Sequence, residues 1–310
     1  MGAHVSHTVD MSVKLGSMSL RTPVLTASGT FASGREFADF VDLERLGALV
    51  TKGVSLHPWE GNPSPRIAET ASGMLNSIGL QNPGVEAFCE QDLAWLSGVD
   101  VPIIVNVSGH TAEEYVAVIE RLEDEARVDA YEVNISCPNV DAGGMAFGTA
   151  CAPAEEVVRA CRAVTARPLI VKLSPNVTDI TEIARAVESA GADAVSLINT
   201  ILGMAVDVRT FRPKLARVVG GLSGPAIKPV ALRMVWQVAG TVSIPVVGMG
   251  GICEADDAAE FLLAGATAIS VGTANFIDPT TVIRVTDGLA ELCRSHGLSR
   301  VSELTGAMRV

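Results

Sequence analysis

The chain has 310 residues, enough to bury a sizeable core without disulfides or metals. Apolar residues make up 48% and charged ones 19%, a balance that excludes a disordered chain. The formal net charge of −12 disfavours a nucleic-acid binder, which needs a basic face, and no long apolar run offers a membrane span.

The first segment, MGAHVSHTVDMSVKLGSMSL, lacks the apolar stretch of a signal peptide. The six cysteines form no C-x-x-C pair, so no zinc or iron–sulfur site is expected, and the thiols read as reduced in a cytoplasmic protein. Strand-like runs then follow in order: PVLTAS from Pro23, ALVTKG from Ala48, PIIVNVS from Pro102 and AYEVNIS from Ala130. PLIVKLS from Pro168, AVSLINT from Ala194, PVVGMGG from Pro245 and AISVGT from Ala268 complete the set. Amphipathic runs lie between them. The run from Thr111 opens with Glu114 three residues on, which predicts a capping box. The run from Thr178 stops near Gly191, and the one from Glu254 behaves alike.

Eight strands alternating with helices predict an α/β fold, a (β/α)8 TIM barrel, with a doubly wound sheet as the alternative. No G-x-G-x-x-G follows the first strand, which weakens that alternative. Residues 1–310 are expected to form a single domain. Three connections are long: Gly53 to about Asn82, Pro138 to Ala152, and Ile201 to Pro225. Each follows a strand, so extended loops are expected over the C-terminal face, where barrel enzymes bind ligands.

Every strand ends in a polar or backbone-exposing residue. In order these are Ser28, Lys52, Asn106, Asn134 with Cys137, Lys172, Asn199 with Thr200, Gly250 with Gly251, and Gly272 with Thr273. The two glycine pairs follow strands seven and eight, where barrels often hold a phosphate on backbone N–H groups. Lys172 lies on a strand, where a buried ammonium needs a partner. It reads as a salt-bridged core lysine, a Schiff-base nucleophile or a fixed charge beside a developing anion, and Lys52 faces the same choice. Asn76, Asn106, Asn134 and Asn199 suit an amide or imide edge, although any one alone reads as a turn residue.

Cys137, in YEVNISCPNV, reads as a buried thiol, half a disulfide, a metal ligand or a catalytic group. No cysteine close in sequence suggests a disulfide, and no co-ligands suggest a metal. An inert thiol and a general base near a ligand mouth stay open.

The segments NSIGLQNPG from Asn76, VNISCPN from Val133, VKLSPN, INT, GGLSGPAIKP from Gly220 and GMGGI together resemble the class 1 dihydroorotate dehydrogenases. The likeness runs over nearly the whole chain, and GNPSPRIAETASGMLNSIGLQNPG is similar to subclass 1B. The resemblance implies an FMN-dependent oxidoreductase that converts dihydroorotate to orotate in pyrimidine synthesis. It implies FMN contacts at Ser28, Lys52, Gly53, Asn106, Asn134, Lys172, Ile198, Gly224, Gly250, Gly251, Gly272 and Thr273. It implies substrate contacts at Lys52, Asn76, Ser77, Ile78, Gly79, Leu80, Asn134, Asn199 and Thr200. Cys137 becomes the catalytic base and Lys172 the group that offsets charge on the reduced flavin, with the loop after Cys137 as a lid. Subclass 1B implies a partner subunit carrying FAD and a 2Fe-2S cluster that passes electrons to NAD, around a dimer of this subunit in a heterotetramer. A fumarate-linked enzyme, another dihydropyrimidine oxidoreductase and a Schiff-base aldolase using Lys172 are the alternatives. Cys151 has no role in this reading.

Overall fold

The computed structural model describes residues 8–136 and 147–309. Eight parallel strands build one sheet: β1 (Val24–Thr26), β2 (Leu49–Val50), β3 (Ile103–Val107), β4 (Ala130–Asn134), β5 (Leu169–Lys172), β6 (Ala194–Leu197), β7 (Val246–Met249) and β8 (Ala268–Val271). Their spatial order is β1-β8-β7-β6-β5-β4-β3-β2. The seam between β1 and β2 closes through a bridge from Leu25 to Ala48 and a 2.9 Å bond from Val50 N–H to Thr26 Oγ1. All eight predicted strands form, and the fold is a (β/α)8 barrel. Every residue of β3 to β8 is buried, as expected for strands covered by side chains inside and helices outside.

Helices α1 (Ala112–Glu123), α2 (Cys151–Val164), α3 (Ile180–Ser189), α4 (Lys228–Ala239), α5 (Ala255–Leu263) and α6 (Thr281–Ser295) follow β3 to β8 in turn. After β1 the chain makes only the 3-10 turns Arg35–Phe37 and Leu43–Arg45. After β2 its helical segment is split, with a π-helical turn at Phe88–Leu93. On α1 the buried residues Tyr115, Val118, Ile119 and Leu122 recur at helical spacing and face the sheet. The predicted box at Thr111 is half formed. Thr111 Oγ1 accepts the Glu114 N–H at 3.3 Å, but the Glu114 carboxylate accepts from His110 N–H at 2.7 Å. Glu114 thereby ties the helix to the β3–α1 loop. Helix α3 stops as expected, with Gly191 at φ +106 after the Ala190 cap.

The long connections after β2 and β6 are not independent loops. They pair into a four-stranded antiparallel sheet, in the order Ile201–Met204, Val219–Ser223, Gly73–Asn76 and Ile67–Thr70. Asn76 stands opposite Gly221 in this register. The sheet brings Asn76, Thr200 and Gly224 to one end of the barrel. Of the connection expected from Pro138 to Ala152, only residues 147–152 lie within the described residues, so the lid expected there lies mostly outside them. Among the described residues no helix is long and apolar enough to cross a membrane.

Candidate active site

Lys172 ends β5 and is 6% exposed. Its Nζ donates to Ser28 Oγ, after β1, at 3.1 Å, and lies 3.7 Å from Glu132 Oε1 on β4. Glu132 is 3% exposed, and both its oxygens are engaged. Oε1 accepts from Asn106 Nδ2 on β3 at 2.7 Å, and Oε2 accepts from Ser196 Oγ on β6 at 2.8 Å. Five strands thus converge on one buried pair of opposite charges. Removing a charge from water costs several kcal/mol per ion, by order of magnitude, unless partners compensate it, and here hydrogen bonds surround the carboxylate. The salt-bridged reading of Lys172 is therefore met, at a strand end that also faces the barrel mouth.

Two polar atoms beside this pair have no partner among the described residues: Asn106 Oδ1 and Ser108 Oγ, both buried. Each would lie 3.1 Å from a Cβ placed on Gly53, and Leu80 Cδ2 would lie 3.7 Å away. An unsatisfied buried polar group costs about 1–3 kcal/mol, so such atoms mark a place that a polar ligand completes. The glycine floor, the unpaired donor and acceptor atoms and a buried ammonium fit the FMN that the resemblance implies.

A second network joins the ends of β4 and β6. Ser136 Oγ donates to Asn134 Oδ1 at 2.8 Å and accepts from Asn199 Nδ2 at 2.6 Å. Asn199 Oδ1 accepts from the Thr200 N–H at 2.7 Å, and Asn176 Nδ2 donates to the Thr200 carbonyl at 3.1 Å. Tyr115 of α1 donates its hydroxyl to the Asn134 carbonyl at 2.7 Å. Thr200 packs against Gly221, opposite Asn76, whose Nδ2 reaches the Gly221 carbonyl at 3.4 Å.

The segment Asn76–Leu80 is shaped by two asparagines that the sequence reading did not single out. Asn62 donates from Nδ2 to the Ser77 carbonyl and hydroxyl at 3.2 and 3.1 Å, and its N–H bonds the Ile78 carbonyl at 3.0 Å. Asn82 donates to the Leu80 carbonyl at 2.8 Å, while its Oδ1 accepts from Ser55 and Gly84. Gly79 crosses Asn62 closely, at φ +75. Lys52 is half-buried. Desolvation, and then the like charge of Arg66, hold its ammonium below the ordinary value of 10.5, against the pull of Glu36. A lysine in that condition favours an arriving anion.

At the other end, Gly250 (φ +131) and Gly251 (φ +78) follow β7. A Cβ on Gly250 would stand 3.5 Å from Ile198, and one on Gly251 would stand 2.9 Å from the Gly224 carbonyl. Thr273 Oγ1 donates to Ser223 Oγ at 2.8 Å, which draws the turn after β8 to the same place. Gly224, Gly250, Gly251, Gly272 and Thr273 thus form a backbone-rich corner beside the first turn of α4.

The structure brings Ser28, Gly53, Asn106 and Lys172 together at the barrel mouth, joins Asn134, Asn199 and Thr200 in one network, and sets Ile198 and Gly224 beside Gly250 and Gly251; Cys137 lies outside the described residues. Sequence reasoning missed Glu132, Ser196, Ser108, Asn62 and Asn82. A charged residue inside the apolar run AYEVNIS is the one signal that pointed to any of them. Cys89, Cys151, Cys161, Cys253 and Cys293 are free thiols.

A model of the family described as dihydroorotate dehydrogenase matches residues 10–293. The chain is 58% identical over 299 residues to the "Dihydroorotate dehydrogenase B (NAD(+)), catalytic subunit" of Pelobacter propionicus, covering 96% of this chain and 98% of that one. It is 56% identical over 301 residues to the protein of the same name from Bacteroides thetaiotaomicron, covering 97% and 99%. It is 56% identical over 299 residues to that of Alkaliphilus oremlandii, covering 96% and 99%. The likeness to these relatives is as long as the barrel itself, and the chain belongs to the dihydroorotate dehydrogenase family.

Proposed function

We propose that this chain oxidises (S)-dihydroorotate to orotate in de novo pyrimidine synthesis, as one FMN-binding barrel domain. The observation that carries the site assignment is the buried Lys172–Glu132 pair, with Ser28 and Asn106, beside the unpaired polar atoms that face Gly53. Ser28, Lys52, Gly53, Asn106, Asn134, Lys172 and Ile198 are assigned to the flavin ring and its chain. Gly224 borders them, and Gly250, Gly251, Gly272 and Thr273 take the phosphate and its neighbouring atoms. When bound, FMN supplies the acceptor for the hydride that leaves carbon 6 of dihydroorotate.

The chain's own groups do the rest. Lys52 pairs with the substrate carboxylate, which explains the value of a desolvated ammonium there. Asn76, Asn134 and Asn199 read the alternating N–H and C=O groups of the imide, with Ser77 to Leu80 and Thr200 around them. Cys137 takes the proton from carbon 5, and Lys172 offsets negative charge that builds at the pyrimidine end of the flavin. Purified protein is expected to be yellow, and anaerobic dihydroorotate is expected to bleach it. Protein that takes up no FMN, or flavin that the substrate leaves oxidised, would overturn the assignment.

The electrons are assigned to NAD through a partner subunit that carries FAD and a 2Fe-2S cluster. The names of the relatives, each the catalytic subunit of an NAD(+) enzyme, support the NAD acceptor and a further subunit; the FAD and 2Fe-2S cluster follow from the resemblance to subclass 1B. A dimer of this subunit within a heterotetramer belongs to the same proposal. The exposed side chains of Met204, Val208 and Phe211, beside the mouth sheet, offer apolar surface for assembly. Co-purification from the native source tests it: NAD reduction that the isolated chain sustains alone would remove the need for the partner.

A further inference from the structure

Glu132 has no place in the roles assigned so far. It is a carboxylate in the middle of a barrel strand, 3% exposed, and it is bonded to the same Asn106 amide whose oxygen is left unpaired at Gly53. Its oxygens are held from both sides by Asn106 and Ser196 at 2.7 and 2.8 Å, so the charge cannot swing away. Lys172 Nζ stands 3.7 Å off, beyond a direct hydrogen bond, and donates to Ser28 Oγ at 3.1 Å instead. The pair is therefore coulombic rather than a clamp. Ammonium protons remain for the mouth of the barrel, while the carboxylate behind them weakens the field they project.

The geometry points to Glu132 as a positioning residue that tempers the charge of Lys172 and so keeps the reduction potential of the bound flavin low. A lysine alone beside the flavin's pyrimidine end favours the reduced, negatively charged form. A fixed carboxylate behind that lysine subtracts from this, and leaves the reduced flavin the better electron donor. That property suits a chain that hands its electrons onward. The groups that face Lys172 from the strands around it are Ser28 on the β1 side, Glu132 and Asn134 on β4, and Ser196 on β6. Among these the carboxylate alone bears charge.

The inference rests on the flavin site proposed above, and the test separates the two. The reduction potential of FMN in the holoprotein is measured by dye equilibration near pH 6.5 in wild type and in three variants. Lys172→Met is expected to lower the potential; no change there would remove Lys172 from the flavin and overturn the site assignment. Glu132→Gln keeps the size of the side chain but not its charge; its amide oxygen can still accept from Asn106, and its NH2 can donate to Ser196 Oγ, which takes the acceptor role. It is expected to favour the reduced flavin by about tenfold, a rise of about 30 mV for a two-electron couple. Ser196→Ala removes a hydrogen bond from the same carboxylate and keeps its charge, so it is expected to stay within about threefold of wild type. A Glu132→Gln potential that is unchanged or lowered, while Lys172→Met responds, would overturn the role of Glu132 alone. Should Glu132→Gln fail to load flavin, Glu132→Asp is read in the same way. Its shorter stem withdraws the charge from Lys172, so a smaller rise is expected, and no rise overturns the inference.

Discussion

Asn199 Nδ2 donates to Ser136 Oγ at 2.6 Å, and so ties the end of β6 to the residue that precedes Cys137. The same hydroxyl donates to Asn134 at 2.8 Å, so one serine sets two of the asparagines assigned to the substrate imide. Ser136→Ala leaves both amides free to rotate. We expect kcat/KM for dihydroorotate to fall by about tenfold, or roughly 1.4 kcal/mol, with flavin content unchanged. Steady-state kinetics with an artificial acceptor check this. Loss of flavin together with activity would instead make Ser136 a structural residue.

Lys52 supplies a pH dependence whose sign follows from its surroundings. Burial and Arg66 hold the ammonium below its ordinary value of 10.5 in the free protein, and a bound carboxylate favours the charged form. The protonated lysine binds the anion. Orotate affinity is therefore level at neutral pH and declines as the pH climbs through the free protein's lowered value, before an ordinary lysine would titrate. Flavin absorbance titrations with orotate across this range check it. Lys52→Met is expected to bind weakly at every pH and to lose the decline.

The thiols divide by burial. Desolvation pushes Cys89 up to about 11 and Cys161 up to about 12, and it raises Cys253 and Cys293 as well. At pH 8 a thiol titrating near 11 is only about one part in a thousand thiolate, so Cys89 and Cys161 alkylate slowly in the native protein. Inactivation by iodoacetamide is expected to follow modification of Cys137 and to be slowed by orotate, with peptide mapping as the readout. Cys137→Ala is expected to keep its flavin and to lose most of the anaerobic reduction by dihydroorotate near neutral pH.

The barrel was legible because its strands are short apolar runs bounded by proline, alanine and glycine, a pattern set by local chemistry. So were the strand ends, since a parallel barrel turns eight separate termini into one ring. The antiparallel sheet over the mouth was not. Its central contact joins Asn76 and Gly221, 145 residues apart, and neither Gly73–Asn76 nor Val219–Ser223 alternates clearly enough to announce a strand. Asn62 and Asn82 act on backbone carbonyls of a loop whose path no local rule specifies. Glu132 is the instructive omission. A carboxylate amid buried strand residues demands a counter-charge, and Lys172, one strand over, makes the same demand in the sequence, so each points to the other.

The glycine corner makes the sharpest contrast between fold and ligand. Gly251 sits at φ +78, and a Cβ there would approach Lys228 Cβ at 2.8 Å and the Gly224 carbonyl at 2.9 Å. At Gly272, outside the left-handed region, the nearest atom to an added Cβ is Ala27 Cβ at 3.6 Å. Gly251→Ala therefore strains the protein with or without cofactor, by about 1–2 kcal/mol for the backbone alone, and lowers the melting temperature of the flavin-free form. Gly272→Ala has room for its methyl in the flavin-free protein and is expected to shift that temperature less than Gly251→Ala does. If backbone N–H groups at this corner hold the phosphate, the added methyl at Gly272 intrudes where the phosphate group rests. Its FMN affinity should then fall by about tenfold while its affinity for riboflavin, which lacks the phosphate, stays near wild type. Fluorescence titration of both flavins against the apoprotein reads the difference, and an equal loss for FMN and riboflavin would move the phosphate away from Gly272.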